Sequence, residues 1–177
     1  MKPFPRAFYR VWQFWQTLTG TLSPNDWREV KLVLTLNELP LFERMNRADQ
    51  AHSFRVMKSL QAGGHTDPNL LTAALLHDTG KGLHPLRFWE RPVPVLAKGL
   101  LREDVHSPGN GNLHGWRRPL IIAKEHPAWG SEMAARAGSS SLTVWLIRHH
   151  QDENPPPIDH PAAERFLTYL KKADNKN

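Results

Sequence analysis

Hydrophobic residues along this chain recur at intervals of three and four, and no segment shows a convincing period-two alternation. The pattern therefore predicts an all-α protein. Two helix starts are marked by a capping residue followed by proline, Ser23 before Pro24 and Asp67 before Pro68. Two glycines after Ala62 mark the end of another helix. Helices are predicted over residues 24–36, 40 or 46 to 62, 69–77, 86–101, 116–125, 128–137, 142–150 and 162–174, with loops at 103–115 and 151–160.

Ionisable side chains fall on the predicted inward side of four separate helices. They are His52, the pair His77 and Asp78, the pair His149 and His150, and Asp174. The segment 69–77 is apolar almost all round, which is typical of a buried helix. Burial of such groups is costly unless they are paired or bind a metal. A shared centre explains all of them together, whereas the alternative requires a separate explanation on each helix, such as a hydrogen-bonded core histidine or a surface carboxylate.

With 177 residues, the chain is predicted to form a single domain. It contains no cysteine, which excludes disulfides, thiolate ligands and cysteine nucleophiles, so a metal must be held by nitrogen and oxygen atoms. No apolar run is long enough to cross a bilayer, and the first 20 residues do not have the pattern of a signal peptide. We therefore expect a cytoplasmic protein.

The N-terminal aromatic residues lie near helical spacing. Such a segment can contact a membrane surface, a partner or its own domain, and contact with its own domain is favoured. We expect residues 1–40 to form an N-terminal helical extension packed on a domain of residues 41–177.

Basic residues are concentrated in the middle of the chain. The net charge is +6, and residues 79–124 contain eight Lys and Arg against three Asp and Glu. This excess is typical of a phosphate-bearing or otherwise anionic partner, and also of a solvated basic face. The Gly-rich phosphate loop, the His-Glu-x-x-His motif and the Gly-x-Ser-x-Gly motif are all missing, which argues against those catalytic classes.

At His52, His77 with Asp78, and Asp174, the sequence resembles the HD-domain metal-dependent phosphohydrolase superfamily. The matching segments read DQAHSFRVMKSL, LLTAALLHDTGKG and LKKADNKN. The distinctive feature is a buried helix that runs into His-Asp-x-Gly-Lys. The resemblance extends over residues 41–174 and implies a single HD-type helical bundle.

Further histidines resemble the dinuclear branch of this superfamily, which includes the HD-GYP phosphodiesterases. His126 lies in EHPAWGSEMA, and the pair His149 and His150 lies in IRHHQDENPPP. The Gly-Tyr-Pro signature is replaced by ENPPP, so the resemblance does not extend to cyclic-dinucleotide binding.

The remaining histidines occupy loops or element ends and are expected on the surface: His65, His84, His106, His114 and His160.

The resemblance implies one or two divalent transition metals. Imidazole and carboxylate ligands suit iron, manganese, nickel, cobalt or zinc, and the sequence does not choose among them. By this resemblance the first metal would be held by His52, His77, Asp78 and Asp174, and the second by His126, His149 and His150, with Asp78 bridging the two.

The implied activity is hydrolysis of a phosphoester or phosphoanhydride, of a nucleotide or dinucleotide, by metal-activated water. Asp78 and Lys81 are the expected catalytic residues, and Lys81, Arg87 and Arg91 the expected substrate-binding residues. Lys81 could instead complement the dipole of a helix C-terminus. The alternative function is a catalytically silent regulatory or nucleic-acid-binding module that retains the metal centre, with nucleic acid as the less favoured partner.

Overall fold

The computed structural model describes residues 20–85, 90 and 117–177. Its helices are α1 (Pro24–Val33), α2 (Leu39–Glu43), α3 (Arg47–Ala62), α4 (Pro68–Leu76), a 3₁₀ helix (Thr79–Leu83), α5 (Arg118–Arg136), α6 (Ser141–His149) and α7 (Ala163–Lys176). These described residues contain no strand, which confirms the predicted all-α bundle. None of the described helices is both long enough and apolar enough to cross a membrane.

Side-chain caps set the starts of the helices. Ser23 and Asp26 form a reciprocal capping box at α1, with N–H to side-chain oxygen distances of 2.8 and 3.2 Å. Asp67 accepts from two N–H groups in the first turn of α4. Asn46, at one of the two alternative starts of its helix, and Ser140 cap α3 and α6 through their side chains as well. The two predicted capping positions are therefore confirmed.

The first two predicted helices differ from the observed ones at their ends. The structure ends α1 at Val33, because Leu34 adopts an extended conformation. Beyond it, the buried Glu38 carboxylate accepts from both the N–H and the hydroxyl of Thr35 and fixes a turn. The two alternative starts near residues 40 and 46 are both used, one by α2 and the other by α3.

The helices predicted at 116–125 and 128–137 are one helix in the structure. Helix α5 continues through Pro127, although proline removes a backbone donor and usually kinks or ends a helix. Both Pro127 and the preceding His126 are buried, and α5 packs on the 3₁₀ helix and on α6. Tertiary packing therefore holds the helix across the proline. The predicted helix 86–101, the predicted loop 103–115 and residues 1–19 lie outside the described residues.

Helix α4 lies at the centre of the bundle, in contact with α3, α6, α7, α1 and α2. Every side chain from Leu70 to Leu76 is at most 6% exposed, so its predicted burial is confirmed. The core also includes Val30 and Leu34, from the part of the chain expected to form an extension. Because α4 is central, the residues that follow its C-terminal end enter the interior of the protein.

Candidate metal centre

Six of the seven predicted metal ligands meet inside the bundle, in two groups. One group is His52, His77 and Asp174, and the other is Asp78, His126 and His150. Within each group, one potential ligand atom per residue lies within 4.8 Å of the others. The residues come from α3, the end of α4, α5, the end of α6, and α7. The fold therefore brings together side chains that are more than 100 positions apart in sequence.

The Asp78 carboxylate links the two groups. Its Oδ2 lies 3.7 Å from Nε2 of His77, and its Oδ1 lies 3.2 Å from Nε2 of His126. The side chain is almost completely buried. Because its two oxygens face different histidine groups, this carboxylate is placed as a bridging ligand would be.

Three buried imidazoles share one orientation: His77, His126 and His150. The Nδ1 atom of each lies 2.7–3.1 Å from a backbone carbonyl three or four residues earlier. A carbonyl only accepts, so each Nδ1 carries the hydrogen, and in a neutral ring Nε2 keeps its lone pair. All three Nε2 atoms are buried without a hydrogen-bond partner. Metal-binding histidines are commonly oriented in this way, so these rings fit a metal ion.

The edge of the centre is formed by His52 and Asp174, whose side chains are about a quarter exposed. Nε2 of His52 lies 2.8 Å from Oδ1 of Asp174, and Nε2 of His77 lies 3.5 Å from the same oxygen. Burial raises the pKa of the Asp174 carboxyl, but the neighbouring His52 and His77 rings lower it well below its usual range. The carboxylate is therefore ionised, as a ligand must be.

The remaining pKa shifts follow from the same mixture of burial and charge. Burial lowers the pKa of His77, but the Asp78 and Asp174 carboxylates outweigh this effect and raise the pKa to about 9. Burial and the neighbouring histidines His77 and His126 lower the pKa of His150 to about 3. For Asp78, burial raises the pKa, and the nearby Lys81 and His77 charges bring it well below its usual value. His150 is therefore neutral at physiological pH, which leaves its Nε2 lone pair available.

Close contact between two glycines holds the 3₁₀ helix against α5. A Cβ placed on Gly80 would lie only 2.1 Å from the carbonyl oxygen of His126 and 2.8 Å from the backbone nitrogen of Gly130. A Cβ on Gly130 would in turn lie 3.2 Å from the Gly80 nitrogen. The glycine of the His-Asp-x-Gly-Lys segment thus allows two backbones to meet, and this contact places Asp78 beside His126.

Lys81 forms an ion pair with the central carboxylate, since its Nζ lies 2.6 Å from Oδ2 of Asp78. Burial lowers the pKa of Lys81, but Asp78 and Asp49 outweigh this effect and raise it above its ordinary value. The side chain is about a quarter exposed, so the ammonium lies between the buried centre and solvent. Lys81 is therefore in direct contact with a candidate metal ligand, in addition to its place near a helix C-terminus.

His149 belongs to neither group of candidate ligands. Its Nδ1 lies 2.6 Å from Oδ2 of Asp152, and its ring packs on the indole of Trp145 at a centroid distance of 5.3 Å. Successive residues of an α-helix point about 100° apart, so His149 and His150 face different surroundings. The structure thus unites His150, but not His149, with the other predicted ligands.

The basic segment of residues 79–124 is only partly described. Arg87 and Arg91 lie outside the described residues, and Arg118 forms an ion pair with Glu90. A basic residue missed by the sequence analysis, Arg55, lies one helical turn after His52, with its Nε buried and unpaired. The sequence signal that could have identified Arg55 is its position three residues after the predicted ligand His52, because such positions are neighbours on a helix surface.

Comparison with known proteins returned one family. The family model of the HD domain matches residues 50–175, a span that includes all six clustered side chains. Searches of curated proteins and of solved structures gave no significant match.

Proposed function

This chain belongs to the HD domain family, whose members are in general metal-dependent hydrolases, and we propose that it hydrolyses a phosphoester or phosphoanhydride of a nucleotide or dinucleotide. The observation that carries this proposal is the set of three buried imidazoles, His77, His126 and His150, whose Nε2 atoms make no hydrogen bond and lie near the Asp78 carboxylate. Imidazole and carboxylate ligands without thiolate suit iron, manganese, nickel, cobalt or zinc.

The proposed ligands divide into two sets that share one carboxylate. His52, His77 and Asp174 would hold one ion and His126 with His150 the other, while Asp78 would contribute to both. One or two bound metals would supply positive charge to the phosphoryl oxygens and would lower the pKa of the attacking water. The backbone carbonyls behind His77, His126 and His150 keep those rings in fixed orientations.

Two side chains of the protein would act on the phosphate itself. Lys81 reaches from the solvent-facing side to the Asp78 carboxylate, so its ammonium can orient Asp78 and contact a phosphate oxygen. Arg55, one turn beyond His52, offers a second cation whose Nε has no protein partner. Arg87 and Arg91 remain proposed substrate-binding residues on the strength of the sequence alone.

The test combines metal analysis with a substrate screen. Protein purified without chelators should carry one to two equivalents of transition metal, and should hydrolyse members of a nucleotide and dinucleotide panel with added Mn²⁺ or Fe²⁺. Asp78→Asn should lose both properties, whereas Asp159→Asn, which alters an exposed carboxylate, should keep them. Less than half an equivalent of metal after reconstitution would contradict the proposal.

The alternative is a silent module that keeps its metal. It would be supported by full metal content, no turnover of any phosphate compound, and salt-dependent binding to nucleic acid.

A further inference from the structure

An aromatic pair that the proposed catalysis does not use lies where the 3₁₀ helix meets α5. The rings of His84 and Trp129 contact each other at a centroid distance of 4.9 Å and an interplanar angle of 67°. Both residues are half-buried. His84 was expected to be an ordinary surface histidine, and the structure instead gives it a specific aromatic partner.

The pair lies next to two residues of the candidate site. Trp129 follows His126 by three residues in α5, and positions three apart are neighbours on a helix surface. His84 follows Lys81 by three residues, and the backbone N–H of His84 donates to the Lys81 carbonyl over 3.3 Å. Each ring is therefore attached about one helical turn, roughly 5 Å of backbone, from a residue that contacts the Asp78 carboxylate.

The supporting backbone is closely packed. The contact between Gly80 and Gly130 joins the 3₁₀ helix to α5 immediately beside Trp129. This packing fixes the aromatic pair relative to Asp78 and His126, so the distance from the rings to the candidate metal centre is set by the fold.

The geometry of the pair leaves aromatic surface available. In an edge-to-face contact, the neighbour covers at most one face of a ring, and both residues here are partly exposed to solvent. Aromatic side chains beside positive charge form the arrangement on which nucleobases stack, and Lys81 supplies such a charge three residues before His84.

We propose that His84 and Trp129 form a stacking platform for the base of a nucleotide whose phosphate lies at the metal centre. The inference rests on the proposed phosphohydrolase function, and it selects nucleotides over phosphorylated compounds without a base. The platform is a specificity determinant, because it contacts the base and not the reacting phosphate.

The experiment measures binding without turnover. Manganese-loaded protein is titrated by calorimetry, at a fixed excess of Mn²⁺, with adenosine 5′-(α,β-methylene)diphosphate and with methylenediphosphonate, which differ only by the adenosine. The wild-type protein should bind the adenosine compound about 5- to 150-fold more tightly, which corresponds to the roughly 1–3 kcal/mol that one base stack contributes.

Substitutions then assign that difference to the platform. Trp129→Leu should remove most of the preference for the adenosine compound and leave the Kd of methylenediphosphonate within about twofold, and Trp129→Phe should retain most of the preference. The matched control is Tyr169→Leu, which removes a different aromatic–histidine contact, with His65 at a centroid distance of 4.0 Å, and should change neither affinity. If Trp129→Leu does not fold, His84→Leu tests the same contact.

The outcomes separate the platform from the proposed function. No preference for the adenosine compound, or an equal loss of both affinities in Trp129→Leu, would overturn the platform. A Trp129-dependent preference in a protein that hydrolyses nothing would retain the platform and refute the phosphohydrolase.

Discussion

Substitution of Gly80 by alanine should disrupt both the fold and the metal centre. The added Cβ would lie 2.1 Å from the His126 carbonyl oxygen, whereas ordinary contact begins near 3.4 Å. The 3₁₀ helix and α5 would therefore have to separate by about 1.3 Å. The obstacle is backbone, which cannot rotate away as a flexible side chain can.

The cost can be estimated from this clash. Overpacking typically destabilises a protein by about 1–3 kcal/mol, and the rigid backbone places Gly80→Ala near the upper figure. For a chain of this size, about 3 kcal/mol lowers Tm by roughly 6–12 °C. Metal binding should weaken as well, because the contact between Asp78 and His126 crosses the same interface between the 3₁₀ helix and α5. Metal–ligand distances tolerate deviations of only about 0.2 Å.

The same 3₁₀ helix supplies the matched control, Gly82→Ala. A Cβ at Gly82 would meet its nearest neighbour, the Arg44 carbonyl oxygen, at an ordinary 3.5 Å. Both substitutions restrict the unfolded chain equally, so their difference isolates the native contact. Tm by circular dichroism and Mn²⁺ affinity by calorimetry are the measurements. If Gly80→Ala matches Gly82→Ala in both, the contact does not position the centre.

Three further predictions concern individual side chains. His150→Ala should lower the occupancy of one metal in elemental analysis, whereas His149→Ala should leave the metal content unchanged. Equal losses of metal in the two variants would show that His149 is also a ligand. Lys81→Met should reduce kcat/KM by about 30- to 1000-fold, corresponding to about 2–4 kcal/mol by analogy with a lost oxyanion donor, with metal content retained. Below its pKa of about 9, His77 holds a proton that a metal must displace. The Mn²⁺ affinity should therefore rise by up to about tenfold per pH unit from pH 6 to 8. An affinity that does not change with pH over this range would contradict the prediction.

The fold could be predicted from the sequence where local chemistry decides the structure. Ser23 and Asp67 each accept N–H groups through a short side chain, and that interaction needs no distant partner. The continuity of α5 through Pro127 could not be predicted, because it depends on packing against the 3₁₀ helix and α6. Propensity alone favours a break at that proline.

The same distinction applies to the candidate site. Helical periodicity indicated that His52 and Asp174 point inward, and the structure brings them to 2.8 Å across 122 positions of sequence. The ion pair between Lys81 and Asp78 and the unpaired Nε of Arg55 were not predictable, because both depend on side-chain conformation and burial. Spacing identifies the residues that face the centre, and packing decides what each one touches there.

The two adjacent pairs of candidate ligands show how backbone conformation limits a metal site. Asp78 leaves the helical region, with φ −96° and ψ 1° between α4 and the 3₁₀ helix, and it lies beside His77 at the centre. His150 retains helical angles, φ −61° and ψ −17°, so His149 points about 100° away and pairs with Asp152. Under the proposed function, the second ion would have three protein ligands, Asp78, His126 and His150. Catalytic zinc sites commonly use three protein ligands and keep a fourth position open for water or substrate, so the proposed set without His149 suits a reactive site better than a purely structural one.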